Sequence, residues 1–172
     1  MKAKNNNCTA ACLALLMLAL AGSASAYQGL PANPIRWSVK DAGPKKPLPA
    51  GSSFSLQILA HITPGWHLYS TSQPEGGPIP TRVWLAEGQV FQPAKELQFP
   101  VPHKMFDKNF EMDVEYYEES PTFTLFLKVA PKTPPGKHTL VVQARFQACN
   151  DKVCLPPRTE KISLDVEVAA GK

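Results

Sequence analysis

The sequence predicts an all-β domain, a two-sheet antiparallel sandwich of the immunoglobulin-like kind, on three observations. Eighteen prolines are spread along 172 residues, and after residue 26 no apolar spacing of three and four is sustained, which argues against helices. Several segments instead alternate apolar and polar residues with period two, as half-buried strands do. Pro- and Gly-rich turns such as Lys132-Thr133-Pro134-Pro135-Gly136 separate them, giving seven or eight short strands. A β-barrel of similar strand number is the alternative architecture.

Taken in order, residues 35–40 form a first short strand. Residues 53–62 place Phe54, Leu56, Ile58, Ala60 and Ile62 on one face. Residues 66–70, 81–85 and 96–99 are short candidates. Segment 100–119 breaks the alternation, mixing Phe106, Phe110, Tyr116 and Tyr117 with Asp107, Glu111, Asp113, Glu115 and Glu118. Its first half is expected to be a loop, with a strand starting at Glu115, and a loop of that length carrying aromatics points to function. Residues 122–129 direct Phe123, Leu125, Leu127 and Val129 inward; residues 137–148 do the same with Leu140, Val142, Ala144, Phe146 and Ala148. Residues 161–168 follow with Ile162, Leu164, Val166 and Val168.

The first 26 residues have basic Lys2 and Lys4, an apolar run from Ala10 to Ala21 and a small-residue ending Ala24-Ser25-Ala26. This is the pattern of a cleaved secretory signal, with the mature domain at 27–172. The apolar run is shorter than the roughly 20 residues that span a bilayer, so no membrane insertion is expected after cleavage. Removing Lys2 and Lys4 leaves 16 basic against 14 acidic residues. With no clustered basic face, nucleic acid is not an expected partner.

Cys8 and Cys12 leave with the signal, so the mature domain keeps Cys149 and Cys154. Export implies an oxidising compartment, in which neighbouring thiols pair. If the strand through Leu140 and Ala148 keeps even positions in the core, Cys149 lies on the opposite face and is expected to be accessible. Asn150, Asp151 and Lys152 favour a turn. A ring of about six residues removes only ~2 kcal/mol of unfolded-chain entropy, which weakens a purely structural role. From the residues alone, a redox pair and a structural bridge both stand.

Other chemistries have less support. His61, His67, His103 and His138, with Met105 and Met112, show no recognised ligand spacing, so no metal or other cofactor is expected. No G-x-S-x-G, H-E-x-x-H or glycine-rich phosphate loop occurs. Trp66, Tyr69 and Trp84 are expected to be core or interface aromatics.

Several segments together resemble the N-terminal periplasmic domain of the thiol:disulfide interchange protein DsbD. They are Gly65-Trp66-His67-Leu68-Tyr69-Ser70, Gly77-Pro78 with the stretch from Thr81 to Trp84, and Val114-Glu115-Tyr116-Tyr117. The most specific runs from Phe146-Gln147-Ala148-Cys149 to Cys154-Leu155-Pro156-Pro157. The resemblance covers most of the mature chain. It implies a cysteine pair, Cys149 and Cys154, that exchanges electrons with periplasmic thioredoxin-fold oxidoreductases, Cys154 bonding the partner first and Cys149 resolving. It also implies a cap loop whose aromatic, at the position of Phe110 or alternatively Phe106, covers the pair, with Tyr69, Trp66 and Tyr117 lining the site. The family's full-length protein also has an eight-helix membrane portion and a thioredoxin-like domain, which these residues lack. The expectation is therefore a stand-alone form served by a separate reductant, such as a membrane electron donor, or else one that works in the oxidising direction.

Overall fold

The structure is a computed structural model that describes residues 33–170, so the signal expected at 1–26 lies outside the described residues. The elements are β1 (Ile35–Val39), a 3-10 turn (Lys40–Ala42), β2 (Ser53–Ile62), β3 (His67–Tyr69), β4 (Arg82–Leu85) and β5 (Phe91–Pro93). They continue with β6 (His103–Asp107), β7 (Met112–Tyr117), β8 (Thr122–Val129), β9 (Gly136–Phe146), β10 (Ala148–Cys149) and β11 (Arg158–Val168). Every pairing between these strands is antiparallel. Two sheets, ordered β1-β2-β8-β5 and β11-β9-β4, make an immunoglobulin-like sandwich, and a third is ordered β10-β3-β7-β6.

The core follows from the alternation. Leu56, Ile58, Phe123, Leu125, Leu127 and Val129 of the first sheet share one buried cluster with Leu140, Val142, Ala144, Phe146, Val166 and Val168 of the second. Of the inward residues expected from the pattern, Phe54 and Leu164 are only partly buried.

Three local expectations are corrected. Residues 96–99 form no strand: Gln98 alone makes a two-way backbone bridge to Thr124, while the edge pairing to β8 is made by the three-residue β5. Prolines at 93 and 100 cannot donate to a ladder and keep both pieces short. The first half of 100–119, expected as loop, supplies β6, which pairs with β7 as a β-hairpin from His103↔Tyr116 to Asp107↔Met112, with only residues 108–111 in the turn. Glu111 closes that turn with a φ of 55°.

The third correction concerns the long C-terminal hairpin. β9 pairs with β11 as far as Phe146↔Arg158, and after Gln147 the chain joins the third sheet as β10. Gln147 braces this switch: its side-chain carbonyl accepts the Ile79 N–H at 3.0 Å and its amide donates to the Leu155 carbonyl at 3.4 Å. Ala148 stays in the core, so Cys149 does face away from it. It is nevertheless 0% exposed and not accessible as the strand parity suggested, because the β6–β7 hairpin covers that face.

Candidate functional site

The third sheet has two different faces because its short strands alternate. Leu68, paired with both Ala148 and Tyr117, joins these two in the main core. One residue on, the parity reverses. His67 is the cross-strand neighbour of Cys149, Tyr69 of Tyr116, and Val114 of Met105. Directly opposed residues have β-carbons about 5 Å apart on the same face. The result is a second apolar cluster of Tyr69, Val114 and Cys149, packed by Met105, Phe110, Met112, Tyr116 and Cys154.

Cys149 and Cys154 are disulfide-bonded, with α-carbons 4.1 Å apart. Their loop is held independently of sulfur. The Leu155 N–H donates to the Ala148 carbonyl at 2.9 Å, and the Asn150 N–H to that of Val153 at 3.0 Å. The Asn150 side-chain oxygen accepts from the Lys152 and Val153 N–H groups, both at 2.9 Å, the Asx turn that its residue type favours. Cys149 is sealed, whereas Cys154 is only partly buried.

The side chains around the pair have defined states. The Tyr69 hydroxyl lies 3.9 Å from Cys154 Sγ and donates to Asp107 Oδ2. Burial first, then the Asp107 hydrogen bond and charge, push its pKa far up, so the hydroxyl stays protonated. His67 packs edge-on against Tyr69 and Tyr116, with ring centroids 5.0 and 5.7 Å away. Burial lowers its pKa from 6.5, although Asp107, Glu118 and Asp151 oppose the shift, so the imidazole is neutral at pH 7. A cleft of about 170 Å³ opens beside the pair, lined by His67 and Met105, by the hairpin tip from Phe106 to Asn109, and by Asn150 and Asp151 of the cysteine loop. Among the described residues, no three His, Cys, Asp or Glu side chains are grouped to hold a metal.

The structure brings together four of the residues singled out from sequence: Cys149, Cys154, Tyr69 and Phe110. Phe110 stands edge-on to Tyr69, ring centroids 5.9 Å apart at 90°. Phe106 is 62% exposed on the hairpin and reaches only the cleft, since its partner in register is Asp113 rather than a residue of the cluster. Trp66 and Tyr117 belong to the main core, not to the cysteine cluster, Tyr117 packing on Phe123 at 5.6 Å. Trp84 is 39% exposed on β4 and lies in neither cluster. Sequence reasoning passed over Asp107 as a site residue and gave His67 no part in the cysteine site. The signal for both was positional: His67 shares its strand face with Tyr69 on β3, and Asp107 shares its face with Met105 on β6.

The profile of the family described as thiol:disulfide interchange protein DsbD, N-terminal, matches residues 38–166. This chain belongs to that family. The match to DsbD spans both cysteines and the hairpin above them. Among solved structures, the chain is similar to the N-terminal periplasmic domain of ScsB from Proteus mirabilis. Identity there is 16%, with 81% of this chain and 49% of that one covered at a TM-score of 0.50. The reduced N-terminal domain of Neisseria meningitidis DsbD aligns at 14% identity over 69% of this chain and 82% of that one, TM-score 0.46. No curated protein sequence matches the chain.

Proposed function

We propose that this domain is an exported dithiol–disulfide carrier that passes electron pairs to or from periplasmic thioredoxin-fold oxidoreductases through Cys149 and Cys154. The observation that carries the reading is a six-residue ring whose turn is held by four hydrogen bonds besides the sulfur bridge. The pair can open without the loop collapsing, and the sulfurs remain opposed for closure. Membership of the DsbD N-terminal family supports the same chemistry.

In the accepting direction, a partner thiolate attacks Cys154 Sγ, the more exposed sulfur. The Cys149–Cys154 bond breaks, a mixed disulfide forms, and Cys149 leaves as a thiolate that takes up a proton. The partner's second thiolate then attacks its own sulfur in the mixed disulfide and releases Cys154, which is protonated in turn. The partner is oxidised to a disulfide and the domain gains two electrons and two protons. Donation runs the same steps backwards. Phe110 covers the pair between encounters and moves aside when a partner docks, limiting exchange with wrong thiols. Export by residues 1–26 and a separate membrane electron donor complete the proposal.

The test is capture. A Cys149→Ala variant keeps Cys154 without its resolving thiol, so incubation with an oxidised thioredoxin-fold protein should accumulate a mixed disulfide, seen on a non-reducing gel and by mass. No adduct with any such protein would count decisively against exchange. The complete burial of Cys149 favours a second reading, a binding module whose disulfide only pins a hairpin. A reduction potential below about −300 mV would support that reading over the first.

A further inference from the structure

We infer that Asp107 is a positioning residue that latches the lid shut, one carboxylate joining the turn that carries Phe110 to the tyrosine lying against Cys154. The inference rests on the exchange reading above and deepens it. Asp107 ends β6, opposite Met112, and is 2% exposed. A carboxylate buried to that degree persists only with hydrogen-bond partners. Its two oxygens are divided between two elements. Oδ1 accepts the N–H of Asn109 at 2.7 Å, inside the turn just before Phe110. Oδ2 accepts the hydroxyl of Tyr69 on β3, and that same hydroxyl oxygen is 3.9 Å from Cys154 Sγ.

The arrangement forms a closed circuit. Phe110 rests edge-on against the Tyr69 ring, while the backbone beside Phe110 and the far end of Tyr69 are held by the same acid. Lifting the lid therefore breaks ring contact and carboxylate bond together, while Tyr69 stays on β3 beside the sulfur. Aspartate suits this place because an ionised carboxylate accepts at both oxygens. An asparagine of equal shape accepts at one and presents an N–H at the other, so it can meet the Tyr69 hydroxyl only as a donor to its oxygen, a neutral bond in place of a charged one. Hydrogen bonds to a charged acceptor are about twice as strong as neutral ones, so losing one should raise lid opening about ten-fold.

The experiment compares reaction of the chemically reduced pair with a small alkylating reagent, iodoacetamide, and with a bulky polyethylene-glycol maleimide. Asp107→Asn should raise the bulky-to-small rate ratio about ten-fold. Tyr69→Phe, which keeps the ring and removes the hydroxyl, should do the same and serves alone if Asp107→Asn fails to fold. The double variant should exceed neither single change appreciably, because both cut one link. A core variant, Leu140→Ala, should leave the ratio near wild type, since general destabilisation admits both reagents alike. A wild-type ratio in folded Asp107→Asn or Tyr69→Phe, or additive effects in the double variant, would overturn the latch. No partner protein enters this measurement, so failure of the latch and failure of exchange are read separately.

Discussion

The weight borne by Phe110 can be worked out and tested. The ring is half-buried in the cysteine cluster and stands perpendicular to Tyr69 at 5.9 Å. Fully burying a phenylalanine is worth roughly 1.5–3 kcal/mol, so half-burial contributes about 1. An edge-to-face aromatic pair adds about 0.5–1.5 kcal/mol. Together some 2 kcal/mol favours the closed lid, equivalent to roughly a 30-fold shift in the opening equilibrium. Phe110→Ala should therefore speed modification of the reduced pair by a bulky maleimide about 10- to 30-fold at pH 7, with circular dichroism unchanged. Phe110→Leu, which keeps apolar bulk but loses the aromatic edge, should fall between the two. The Phe106→Ala rate should match wild type, because that ring is 62% exposed and outside the cluster. An acceleration below two-fold for Phe110→Ala would refute the assignment of the lid.

Two further outcomes bear on the site. Replacing both cysteines by alanine removes a ring of about six residues, so stability should fall by only ~2 kcal/mol and the thermal midpoint by roughly 5–10 °C; a chain that no longer folds would mean that the bridge is a staple. His67 sets a pH dependence. Its folded pKa lies below 6.5, so as pH falls below 6.5 the unfolded chain binds a proton that the folded one refuses. Stability should therefore decline from about pH 6.5 down to the lowered folded value and owe nothing to this group above that range. Urea midpoints at pH 7.5 and 5.0 should differ more for wild type than for His67→Gln, and equal differences would remove His67 from the account.

How far the sequence reveals this molecule depends on where each residue's environment comes from. In β2, β8 and β9 the alternation is created by the strand's own two faces, so the inward sets including Leu56, Phe123 and Leu140 are legible from period two alone. The β6–β7 hairpin lacks that signal because one face of β6 carries exposed His103, half-buried Met105 and buried Asp107, which read as polar loop. Their neighbours are Tyr116, Val114 and Met112 of β7, with Tyr69 of β3 against Asp107. Gly65-Trp66-His67-Leu68-Tyr69-Ser70 reads as one aromatic block, yet parity sends Trp66 and Leu68 to the sandwich core and His67 and Tyr69 to the cysteines. Parity likewise identifies the face of Cys149, but its burial is decided by a hairpin more than thirty residues earlier, which local spacing cannot report.

If the disulfide exchanges as proposed, the third sheet accounts for a domain that shields it and still lets it be reached. Its core-side residues, Leu68, Tyr117 and Ala148, are fixed by the sandwich, so the platform beneath the sulfurs does not depend on the lid. The lid hairpin is joined to that platform by two register pairs, Leu68↔Tyr117 and Tyr69↔Tyr116, and by bonds from Ser70 and Gln73 to Glu115, and β6 is the outer edge of the sheet. Segments with few packed contacts open at a fraction of the free energy of global unfolding. On the proposed exchange, the hairpin tip would leave Cys154 without disturbing Leu140 or Phe123, and access would be set by a few local bonds around Asp107 and Phe110. A disulfide spanning the two main sheets would lack this separation, because exposing it would mean opening the core itself.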